Sequence, residues 1–139
     1  AGNPSGLDTA ADLARPDLRL AVRPAESGSA VLLDSLLAGR DRPRGDRTIP
    51  AQTEADLAAL VADGRADCGL GVESVARRFG IDFVPLATEA FDLVMRRRDY
   101  FEPAIQCLVA FSRSPAFAAE ATRLGGYDLA GAGEVILNT

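Results

Sequence analysis

The chain contains no histidine, no lysine and no tryptophan, and only two cysteines and one methionine. The missing histidine removes the usual general base, the commonest metal ligand and the physiological-pH switch together. A Ser-His-Asp set is therefore impossible. No GxSxG elbow or P-loop occurs, and Gly69-Leu70-Gly71 lacks both the third glycine and the position after a first strand that a dinucleotide site needs. Carboxylate pairs are available among 20 Asp and Glu residues, but none stands out by spacing or apolar setting. Cys68 and Cys107 lie far apart with no CxxC or Cys/His spacing around either, so neither a metal site nor a redox pair is indicated. Both read as small core residues, Cys68 in a buried strand and Cys107 on an apolar helix face. These absences point away from an enzyme and call for no cofactor.

Other absences limit location and partners. No apolar run approaches the ~18 residues of a membrane span, and no basic stretch followed by an apolar one opens the chain as a secretion signal. The expected location is cytoplasmic, although a chain that begins without Met starts at a boundary that need not be the natural one. All 15 basic residues are Arg, against 20 acids, giving a net charge of −5. That balance argues against direct nucleic-acid contact, which depends on cations neutralising phosphates. Arg40-Asp41-Arg42-Pro43-Arg44 is broken by Asp and Pro and reads as a solvated loop, and Arg96-Arg97-Arg98 reads as a charged exit from a strand.

What is present is an α/β pattern in 139 residues with 47% apolar content, the size of a single domain with one main core. The most informative stretch runs from Glu54 to Glu73. Leu57, Leu60 and Val61 form an i, i+3, i+4 helical stripe, and Gly64 follows Asp63 where a left-handed cap belongs. Residues 66–72 then form a short run of small and apolar residues without helical period, a buried strand whose glycines let another backbone or a ligand approach. Upstream, the spacing predicts a short helix over 7–14, an alternating strand over 18–22, and a helix from Ser27-Gly28-Ser29 through Leu37 to Gly39. An irregular loop over 40–51 precedes a helix capped by Thr53. Downstream, a helix over 73–79 leads to Gly80. Residues 83–86 and 91–95 read as strands, and 103–113 and 115–124 as helices, the second stopped by Gly125-Gly126.

Strand, Ser-Gly-Ser, then helix carries the clearest chemistry. A helix N-terminus presents unpaired N–H groups and partial positive charge, so Ser27, Gly28 and Ser29 form a small anion-receptive nest. The alternative is that one serine simply caps the helix. Thr53 is either a cap or a ligand contact. Glu73 is either an acid complementing a helix dipole or a second ligand contact.

Helix followed by Gly64-Arg65-Ala66-Asp67-Cys68-Gly69-Leu70-Gly71 resembles the return segment of the type II periplasmic-binding-protein fold. With Asp82-Phe83-Val84-Pro85-Leu86-Ala87, Phe91 to Met95, Ser114-Pro115-Ala116-Phe117 and Leu124-Gly125-Gly126-Tyr127-Asp128, the chain is similar to one branch of that fold. This is the domain fused to helix-turn-helix regulators and to molybdopterin-biosynthesis (MoeA-type) proteins. The resemblance runs from Gly2 to Val135. It implies a three-layer lobe with helices flanking a mixed sheet over residues 1–80, plus an incomplete second lobe over 81–139 whose other strands would lie before residue 1. It also implies that the Ser27-Gly28-Ser29 turn, matching "R-x-x-G-S-G-T-R" with Arg23 as its leading cation, faces a ligand cleft. Thr53 and Glu73 would line the same cleft. The turn departs from the pattern at Glu26 and Ala30, which places an acid near the nest and removes a cation, and so weakens the case for a simple oxyanion.

Three functions follow as expectations. The first is a sensor domain closing on a small anionic or zwitterionic ligand, such as a molybdate-like oxyanion or a small metabolite, in a regulator or a molybdenum-cofactor-related protein. The second is a truncated interaction or dimerisation module that has lost its ligand. The third is a non-catalytic accessory domain in molybdopterin biosynthesis. Because the apolar strands 83–86 and 91–95 demand neighbours, a homo-oligomer built through residues 81–124 is expected.

Overall fold

The computed structural model describes residues 3–41, 43 and 45–136. The chain divides after Ala87 into two compact units. The first is α/β, with helices around a small parallel sheet; the second is helical.

In the first unit β1 (Leu20–Val22) lies between β2 (Thr48–Pro50) and β3 (Cys68–Gly69), parallel to both. Among the described residues the sheet is wholly parallel rather than mixed. Side chains of a strand alternate between faces, and a central parallel strand is covered on both. Leu20 therefore turns to one side, where it packs with Leu13, Leu33 and Leu37 of α1 (Gly28–Leu37), and Val22, Cys68 and Leu70 join that cluster. Ala21 turns to the other, packing with Ala51, Ala66, and Leu57 and Leu60 of α2 (Glu54–Ala62). The result is three layers, helix on sheet on helix. α3 (Glu73–Phe79) follows β3 and packs beside α2.

Local signals explain most boundaries. Ser27 caps α1 by accepting a hydrogen bond from the Ala30 N–H, and the helix ends as Ala38 and Gly39 turn left-handed. Thr53 caps α2 in a reciprocal box with Asp56, each accepting from the other's backbone N–H. Asp67 anchors the start of β3: its carboxylate accepts from the backbone N–H of Arg19 at 2.7 Å and from that residue's guanidinium at 2.6 and 3.2 Å.

The structure corrects four sequence expectations in this unit. The helix expected over 7–14 is a 3-10 turn, Ala10–Ala14, because Gly6 is left-handed and Thr9 pairs with Asp12 to start a single tight turn. The strand expected over 18–22 is only Leu20–Val22. The loop expected over 40–51 holds a 3-10 turn, Gly45–Arg47, and the edge strand β2, whose terminal Pro50 donates nothing to a ladder and so is tolerated there. The strand expected through residue 72 ends at Gly69.

The second unit contains α4 (Arg97–Tyr100), α5 (Pro103–Ser112) and α6 (Pro115–Leu124). Prolines open α5 and α6 at positions where the missing N–H costs nothing, and Ser114 caps α6 by accepting from the Phe117 N–H. The two helices meet through Phe111 and Phe117, whose rings sit edge to face at 5.5 Å. Two further corrections arise from exposure. Residues 83–86 and 91–95 carry no strand pairing, and Phe91 and Val94 are 92% and 95% exposed. A strand exists only with a neighbour to bond to, and neither segment has one among the described residues. Cys107 is exposed rather than a core residue, since its face of α5 has no cover. No helix among the described residues is long and apolar enough to cross a membrane.

Candidate ligand-binding site

All three parallel strands point the same way, and α1 and α2 start from the ends of β1 and β2 on opposite faces of the sheet. In open parallel sheets this reversal leaves a crevice at the carboxyl ends of the strands, where helix N-termini collect. Sequence and packing together bring three polar side chains to that edge. Arg23 directly follows β1 on the side to which Ala21 points, Ser29 is the second residue of α1, and Glu54 is the first of α2.

These three form one constellation. Arg23 Nη1 donates to Glu54 Oε1 at 3.1 Å, and Ser29 Oγ donates to the same oxygen at 3.1 Å. The pair is largely shielded, with side chains 18% and 31% exposed. Two of its atoms are buried without a hydrogen-bond partner among the described residues: Arg23 Nε, a donor, and Glu54 Oε2, an acceptor. A carbon added at Gly71 would stand 3.0 Å from Glu54 Oε2, so the glycine after β3 leaves room for the carboxylate. Arg23 also lines a cavity of about 670 Å³, bounded in part by Val22, Leu37 and Thr48, with Asp34, Arg40 and Asp41 on its wall.

The residues expected at this site divide accordingly. Arg23 and Ser29 come together. Ser27 spends its side chain on the α1 cap, and Thr53 on the α2 cap. Gly28 keeps an open backbone, since an added Cβ would meet nothing within 4 Å. Glu73 sits in the first turn of α3 and pairs with Arg77 one turn on at 2.6 Å. Glu26 is exposed, and Ala30 is buried at 3%, so position 30 supplies core packing rather than a missing cation. The acid beside the nest is Glu54. It carries no motif, and the available signals were an acid opening a helix and a glycine, Gly71, spaced two residues from a packed strand glycine.

Of the basic clusters, Arg40 lies on the wall of the cavity that Arg23 lines. Arg40 donates to the Leu37 carbonyl, Arg98 pairs with Asp99, and Arg42 and Arg44 lie outside the described residues. No group of three or more acids and cysteines among the described residues is arranged to hold a metal ion. Burial pushes the Cys68 thiol up to about 12, which leaves it a packing group at neutral pH.

The profile of the PBP superfamily domain matches residues 1–113. The chain belongs to the PBP superfamily. Membership in this PBP group accords with the α/β layering, and domains of this superfamily are generally non-catalytic binding domains. Among curated relatives, the chain is 31% identical to "Uncharacterized protein YvgK" of Bacillus subtilis (strain 168), over 99% of its own length and 45% of the relative's. It is 36% identical over 81 residues to "Uncharacterized protein in ferredoxin 2Fe-2S gene 5'region" of Clostridium pasteurianum, covering 58% of the chain and 72% of the relative. The chain thus spans less than half the length of the first relative. No solved structure matches.

Proposed function

We propose that this PBP-type domain binds a small anionic or zwitterionic ligand at the carboxyl edge of its sheet, with Arg23, Ser29 and the open backbone at Gly28 as primary contacts. The observation that carries the reading is the convergence of Arg23, Ser29 and Glu54 from three separate elements, with one buried donor and one buried acceptor left unused. Superfamily membership supports it. Ser27 and Thr53 shape the edge through their caps, and Glu73 stands at its border. Residues 1–80 act as the complete ligand-binding lobe, and 81–139 as a return segment to a lobe built mainly from other sequence. The domain serves as the sensing part of a cytoplasmic regulator or molybdenum-cofactor-related protein. A second reading, an interaction or dimerisation module, is favoured by the exposure of Phe91 and Val94.

Gly28→Val tests the binding reading. The fold has room for the side chain, which would project over the Gly28 and Ser29 N–H groups. In a thermal-shift screen with molybdate, tungstate, sulfate and L-amino acids, the variant is expected to melt as the wild type does and to lose the ligand-induced shift. An undiminished shift would refute the placement.

A further inference from the structure

Resting on that reading, we propose that Glu54 determines specificity and makes the site select a zwitterion, a ligand carrying an ammonium beside a carboxylate, over a simple oxyanion. The anion-receptive groups here are the Arg23 guanidinium, the Ser29 hydroxyl and the start of α1. Two of the three already donate to Glu54 Oε1, so the carboxylate occupies the position a bound oxyanion would take. A sulfate-like ligand at this edge meets that negative charge at close range, where shielding makes repulsion strong. It must also displace the Arg23 pair to gain the cation. A zwitterion also has to open this buried pair, but it brings a cation to meet the carboxylate and so escapes the net repulsion. Its carboxylate accepts from Arg23 Nε and the α1 N–H groups, while its ammonium donates to Glu54 Oε2, so each unused buried atom of the pair gains a partner of opposite character.

The surroundings support the same class. Among the described residues, the neighbouring cavity that Arg23 also lines carries Arg40 together with Asp34 and Asp41, a wall of mixed sign. Gly71 permits the position of Glu54, because a side chain there would press on Oε2. Glu26, exposed on the turn, takes no part.

The test uses isothermal titration on the full chain with three probe sets: the L-amino acids, carboxylates lacking the amine (propionate, glutarate), and sulfate with molybdate. Wild type is expected to bind at least one amino acid and at least tenfold more weakly the matching carboxylate and both oxyanions. Glu54→Gln is expected to lose tenfold or more in amino-acid affinity and to gain in sulfate or molybdate affinity. Glu54→Asp keeps the charge on a shorter arm and is expected to fall between them, a comparison that stands should the glutamine variant fold poorly. Wild type binding oxyanions as tightly as amino acids, with Glu54→Gln and Glu54→Asp unchanged, would overturn the specificity assignment and leave the binding reading intact. Binding of no probe by wild type or by either variant would overturn both.

Discussion

Gly69 is the residue whose replacement should report most directly on how the sheet is assembled. Its backbone is not in the left-handed region, so alanine is conformationally permitted and any penalty is steric. A Cβ there would lie 2.7 Å from Leu57 Cδ2, 2.9 Å from Leu57 Cγ and 3.0 Å from the Ala21 carbonyl oxygen. Carbon pairs rest at about 3.5–4.0 Å, so the overlap with Leu57 is roughly 1 Å. The Cγ contact means that rotating the tip of Leu57 is insufficient; the side chain must move as a whole, and Leu60, Ala51 and Ala66 pack around it. Overpacking of this kind costs about 1–3 kcal/mol. For a unit of this size each kcal/mol lowers Tm by about 4–8 °C. Leu57→Ala alone should cost about 2–5 kcal/mol by cavity formation. In that background Gly69→Ala should cost less, because the Leu57 atoms are gone and only the Ala21 carbonyl oxygen at 3.0 Å still crowds the added carbon. A double-mutant cycle by urea denaturation should therefore give a coupling of about 1–3 kcal/mol. Strict additivity of the two substitutions would refute the packing argument.

Three further outcomes follow from the geometry. The Arg19 guanidinium and N–H hold the Asp67 carboxyl below its usual range against the opposing effect of burial. A depressed folded pKa contributes stability that is complete above the unfolded value near 3.8 and is lost as pH falls through the folded one, so the melting temperature should drop below about pH 4. Asp67→Asn should flatten that decline, and at pH 7 it should cost about 1 kcal/mol, since Arg19 is partly solvated; an unchanged acid limb would contradict the assignment. Ellman's reagent at pH 7.5 should label one thiol rapidly, and Cys107→Ser should abolish that fast phase, because Cys107 is exposed and burial keeps the Cys68 thiol protonated; two equally fast thiols would contradict this. Sedimentation at micromolar concentration should show self-association that Phe91→Glu with Val94→Glu removes, whereas a stable wild-type monomer would sink the dimerisation reading.

Legibility in the sequence tracked how local each determinant is. α1 and α2 were readable from their caps Ser27 and Thr53, and α3 and α6 from their stops at Gly80 and Gly125-Gly126, because a cap or a stop is settled within a few residues. β2 was not readable: three residues ending in Pro50 carry no period, and their order comes from pairing with β1 and from the Ala51 N–H donating to the Val22 carbonyl. Residues 91–95 show the converse, an apolar pattern that demands a sheet without supplying one. At the site, Arg23 and Ser29 were legible as the turn before a helix. Glu54 was not, since it lies 31 residues from Arg23 and only the packing of α2 on the sheet brings it across.

The central claim, that ligand binds where Arg23, Ser29 and Glu54 converge, is tested most directly by amide chemical-shift mapping. The chain would be titrated with the amino acid or oxyanion giving the largest thermal shift. The account predicts perturbations concentrated at residues 23–30, 53–55 and 70–73, with Gly28, Ser29 and Gly71 among the largest. Saturable shifts clustered elsewhere, with those amides unmoved, would contradict it.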